Sequence, residues 1–111
     1  MNFADRLKQL PSAAHLTSLQ VLDAGGHVVA TLENKPGQAG SLALYAALAA
    51  LYGGHITPAA ASLGLEWYAE HTADAHAHPG KHPNIDRLVQ WAQGPCSPGA
   101  QRLRQRHSVV R

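Results

Sequence analysis

The chain has a single cysteine, Cys96, so it closes no internal disulfide. Small oxidised domains usually carry several cysteines, and a reduced, cytosolic setting is the expectation here. Aromatic residues make up only 5% of the 111 positions, so Trp67, Trp91 and the three tyrosines have to serve the core. Long apolar runs are missing as well. The longest, 42–52, covers 11 residues, where a membrane span needs about 20. The N-terminal MNFADRLKQL has Asp5, Arg6 and Lys8 scattered through it and no apolar signal core. These shortages argue against a membrane protein and against an exported disulfide scaffold.

Charge is sparse and unevenly placed. Residues 1–94 carry five Lys or Arg against seven Asp or Glu, a net −2, while residues 95–111 carry four arginines and no acid. The sequence pI near 9.0 therefore belongs to the last stretch. Arg102, Arg104, Arg106 and Arg111 can reach phosphates. No aromatic is interleaved with them, so stacked bases have no platform, and nucleic acid is not the expected partner. The reading is one globular domain over 1–94 and a flexible basic tail over 95–111.

What is present begins with a short helix over 3–10, capped by Asn2 and stopped at Pro11. Residues 18–23 and 27–34, rich in Leu, Val and Thr and separated by Ala24-Gly25-Gly26, read as a β-hairpin. A polar loop over 33–41 leads to Ser41, a natural cap for a helix over 42–52. No charge occurs between Lys35 and Glu66, so that helix is expected at the centre of the core. Thr57-Pro58 starts another helix that can continue to about His78, and Pro83-Asn84-Ile85 opens a last one stopped by Gly94-Pro95. Residues 108–110 can add a short strand. The expected fold class is α+β: a β-hairpin packed on about four helices. A two-stranded sheet leaves a bare edge, so self-association as a homodimer is also expected.

The stretch 66–88 holds four of the eight histidines and the break between two helices. His71, Asp74 and His78 share a helix face at i, i+3, i+7, and His82 follows across a tight turn. Imidazole and carboxylate suit zinc and other divalent metals, although the pattern matches no established signature. Two loops each deliver a lysine to a helix start: Lys35-Pro36-Gly37, after Asn34, leads through Gly40-Ser41 into the helix at Leu42, and Gly80-Lys81-His82-Pro83-Asn84 leads into the helix at Ile85. Helix starts present N–H groups and partial positive charge, and glycine lets an anion come close. The lysine precedes the glycines, opposite to the phosphate-binding loop of nucleotide hydrolases, so no hydrolysis is inferred. Glu70, His71 and Asp74 supply the groups for acid–base work, with no marked nucleophile.

The strings ENKPGQAGSL (33–42) and EWYAEHTADA…HPGKHPNIDRL (66–88) resemble a bacterial family known as domain of unknown function 2322. The likeness covers residues 2–93. It implies a small stand-alone bacterial protein and carries no activity and no functional residues. Three functions stay open: an accessory domain binding a small anion or a protein partner, a divalent-metal protein, or a small acid–base enzyme.

Overall fold

The computed structural model describes residues 2–23 and 25–93 and, as a backbone strand, residues 101–107. Local signals set most of its elements. In α1 (Phe3–Gln9) the Asn2 side chain accepts the Asp5 N–H at 2.8 Å, and in α3 (Pro58–Tyr68) Thr57 accepts the Ala60 N–H with proline at the first helical position. The strands β1 (Leu16–Leu22) and β2 (Val28–Glu33) form the expected antiparallel hairpin. Asp23 makes the turn: its Oδ1 accepts the N–H groups of Gly25 and His27, and Gly26 takes a φ of 86°.

The helix α2 (Ala39–Leu51) lies across the sheet on one side and against α3 on the other. Leu42, Leu44, Tyr45, Ala47, Leu48 and Ala49 are buried, as its uncharged sequence requires. Its far end reaches solvent, with Leu51 63% exposed. Ser41 is not the cap. Gln38 holds that position without a side-chain bond into the helix, because its Oε1 accepts the Glu33 N–H instead. The helix α5 (Pro83–Ala92) buries Ile85 and Leu88 and packs on α3.

The sheet has four strands, in the order β2-β1-β4-β3. The two added to the hairpin are β3 (His55–Ile56) and β4 (Gln101–His107). β4 runs antiparallel to both β1 and β3. The α+β class holds, and residues 101–107, within the stretch read as a basic tail, form the strand β4. Their polar sequence has no strand signal of its own; what orders them is the open edge of β1, whose N–H and C=O groups need partners. Residues 94–100 and 108–111, with the expected strand at 108–110 and the helix stop at Gly94-Pro95, lie outside the described residues.

The long helix expected from Pro58 to His78 is two helices, α3 and α4 (Glu70–Ala77), broken at Ala69. Ala69 has φ 52° and ψ −116°, a conformation that favours glycine. The break turns Glu70 toward α1, where its Oε1 accepts the Phe3 N–H at 2.9 Å. Thr72 donates its hydroxyl to the Leu65 carbonyl at 2.6 Å and so satisfies a group the break would strand. Such backbone strain costs about 1–3 kcal/mol, against about 0.5–1 kcal/mol for the extra entropy of glycine. Ala69→Gly is therefore expected to stabilise the protein by about 1 kcal/mol. A denaturant titration showing a loss of stability would count against strain at this residue.

Candidate functional site

Two helix starts meet at one surface. At α5, Gly80 takes φ 91° and donates its N–H to Asp86 at 2.9 Å, which closes the turn before Lys81. Tyr45, buried in α2, donates its hydroxyl to the Asn84 carbonyl at 2.6 Å. Arg87 donates to that hydroxyl at 3.2 Å and to the Asn84 Oδ1 at 2.9 Å. Burial pushes the Tyr45 pKa up to about 12, so the phenol keeps its proton and its role as donor. At α2, the Ser41 hydroxyl accepts from Tyr68 at 2.7 Å, and burial raises the Tyr68 pKa in the same way. Both helix starts are thus anchored by buried tyrosines.

Between them lies a pocket of about 290 Å³. Gly37 and Ser41 line it from the α2 side, and Lys81, His82, Pro83, Asn84 and Ile85 from the α5 side. Phe3, Tyr68 and His71 complete the wall. Phe3 stacks on Tyr68 with ring centroids 5.0 Å apart and meets the edge of His71 at 5.2 Å.

Asp74 is the electrostatic hub beside this pocket. Its Oδ2 lies 2.6 Å from His82 Nε2 and 3.1 Å from Lys81 Nζ, and His78 Nδ1 lies 3.3 Å from its Oδ1. An ionised carboxylate only accepts, so His82 Nε2 carries the proton in that contact. The His82 hydrogen bond, and after it that of Lys81, holds the Asp74 carboxyl at about 2, below its ordinary 3.8. A lowered carboxylate pKa contributes stability that is present above 3.8 and is lost as pH falls toward 2. The melting-temperature gap between wild type and Asp74→Asn is expected to shrink over that interval. A gap that stays constant from pH 6 to pH 2.5 would remove the ion-pair role.

The pocket gathers Gly37, Ser41, Lys81, His82 and Asn84 of the expected anion site. Three others serve elsewhere. Lys35 pairs with Glu33 at 2.8 Å, and Asn34 donates its side-chain amide to the Leu16 carbonyl at 2.8 Å, tying the α2 loop to β1. Gly40 sits under α1, where a Cβ would come 3.2 Å from Leu7 and 3.4 Å from Phe3. Of the expected metal ligands, Asp74 collects His78 and His82, while the His71 ring packs between Phe3 and His82. Among the described residues no group of three or more His, Cys, Asp or Glu side chains is disposed to hold a metal ion. Of the acid–base trio, Glu70 accepts the Phe3 N–H, and Asp74 pairs with the imidazoles of His82 and His78. Cys96 lies outside the described residues.

Tyr68, Pro83, Ile85 and Phe3 line the pocket outside the residues singled out from the sequence, and Phe3 is the most remote of them. Nothing local signals it, because its neighbours Tyr68 and His71 are more than sixty positions away in the chain.

Fold and pocket together define a small α+β domain with a pocket of mixed polar and apolar lining between two helix starts. The chain belongs to the bacterial family described as an uncharacterized protein conserved in bacteria, domain of unknown function 2322, whose match covers residues 3–99. No curated protein and no solved structure matches the chain. Among the described residues no helix is long and apolar enough to cross a membrane.

Proposed function

We propose that this protein binds a small anionic ligand in the pocket between α2 and α5. The observation that carries the reading is the convergence of Ser41, Lys81, His82 and Asn84 on one cavity from two separate helix starts. Lys81 supplies a charged donor, and the helix starts add partial positive charge. Asp74 orients Lys81 and His82 and also offsets part of their charge, so the pocket is tuned rather than strongly basic.

Calorimetric titration of inorganic phosphate and of acetate into the full chain tests this. A charge-assisted hydrogen bond contributes about 1.5–3 kcal/mol, so Lys81→Ala is expected to weaken binding by roughly ten- to a hundred-fold. Lys35→Ala is expected to change nothing, since Lys35 pairs with Glu33 away from the cavity. Equal effects of the two substitutions would defeat the proposal. Asp74→Asn separates the anion reading from the metal one: it removes a negative charge, so anions bind as well or better, whereas zinc would bind less.

Self-association through β2 is a second reading, carried by the position of β2 at the end of the sheet with Val28 47% and Val29 50% exposed. An open edge of this kind can pair with the same edge of a second copy. Light scattering is expected to report twice the 11.8 kDa chain mass, and Val29→Lys to return it to the monomer. A monomer at high micromolar concentration would end that reading.

A further inference from the structure

We infer that the ligand of this pocket is an organic anion carrying a flat apolar body, an aryl carboxylate or aryl phosphate ester, rather than an inorganic ion; this rests on the anion reading above. Two features of the cavity point to it, and neither is the charge of Lys81. The first is volume. A cavity of about 290 Å³ corresponds to roughly ten water molecules at the density of the liquid. A bare tetrahedral oxyanion leaves most of that space to water, whereas a cavity of about 150 Å³ already takes benzene, so a ring bearing one acidic group occupies most of it.

The second is the mixed lining. Ser41, Lys81, His82 and Asn84 bring polar groups to the cavity, and Phe3, Tyr68 and Ile85 bring carbon. Aromatic rings receive another ring in stacked or edge-on geometry, and the Phe3–Tyr68 stack with His71 set edge-on at 88° already shows both. Phe3 is half-buried, so part of its ring is open to a ligand, and it is held there by the bond from its own N–H to Glu70. A site for an inorganic ion has no use for an aromatic wall. A ligand whose acid lies on Lys81 and whose ring lies on Phe3 uses both kinds of lining at once.

The test is calorimetric titration of four probes into the full chain: phosphate, phenyl phosphate, acetate and benzoate. Each aryl probe is expected to bind at least roughly tenfold more tightly than its inorganic or methyl counterpart, the return for burying a ring. Phe3→Ala is expected to erase that advantage, so that each aryl probe binds no more tightly than its counterpart. Phe3→Leu, which keeps an apolar contact for α1 without a ring, is expected to retain only part of it and guards against a variant that merely unfolds. Lys81→Ala must weaken all four probes. If phenyl phosphate binds no better than phosphate, the inference is overturned while the anion pocket stands. If aryl binding survives Lys81→Ala, the ring is held at another surface and the inference is likewise lost. If no probe binds, both the inference and the reading beneath it fall.

Discussion

Gly64→Val is expected to destabilise the protein by about 3 kcal/mol, the upper range for overpacking a filled core. For a domain of this size that lowers the melting temperature by roughly 10–20 °C. Gly64 is buried in α3, where three helices meet. A Cβ at this position would stand 2.8 Å from Leu48 Cδ1 of α2 and 2.8 Å from Leu88 Cδ1 of α5, with Leu44 Cδ2 at 3.6 Å. Leu48 and Leu88 are fully buried, so neither can swing outward to make room. Gly64→Ala is the milder case, since alanine regains about 1 kcal/mol of helix propensity against the same crowding. Its melting point is expected below that of wild type and above that of the valine variant. If valine melts within a few degrees of wild type as well, the close approach of α3 to α2 and α5 is not what the packing implies. Because α5 carries Lys81, His82 and Asn84 at its start, loss of this contact is also expected to abolish anion binding.

Ending the chain at residue 100 is expected to have a comparable effect. Six paired positions join β1 to β4, from Leu16–His107 to Leu22–Arg102, and β3 finds its partners in the same strand. Each lost hydrogen bond costs about 0.5–1.5 kcal/mol net, so removing the ladder costs on the order of 3 kcal/mol or more. The freed edge of β1 should also promote association and turbidity on heating. A flexible tail predicts the opposite: melting curves that superimpose. The comparison needs only thermal denaturation of the full and shortened chains at equal concentration, and superimposed curves would exclude β4 as a stabilising strand.

Where the cause of an element is local, the amino-acid order was enough to find it. Asn2 before Phe3 and Thr57 before Pro58 satisfy backbone N–H groups within a few residues, Pro83 has no N–H to satisfy at the first helical position, the glycines after Asp23 allow the hairpin turn, and the matching elements are there. The helix start at Pro83 is the one the proposed pocket draws on, since Lys81, His82 and Asn84 line it. Lys35 shows the limit of the same argument. It too precedes a helix start, yet Glu33 lies two residues back on the strand and takes its ammonium.

The sequence by itself determined the single small α+β body, the buried uncharged helix α2 and one half of the pocket, because caps, turns and apolar runs act over short distances. Only the tertiary structure decided the rest. The break at Ala69 runs against helix propensity and goes with a hydrogen bond between residues 67 positions apart. Asp74 took His82 and Lys81 across a turn, so a metal-like spacing became an ion-pair hub. Residues 101–107 became a strand because β1 had an unpaired edge to fill. At Ala69 and at β4 the deciding partner is distant in the chain, and at Asp74 the turn over 78–82 chooses among neighbours that the order of residues only lists.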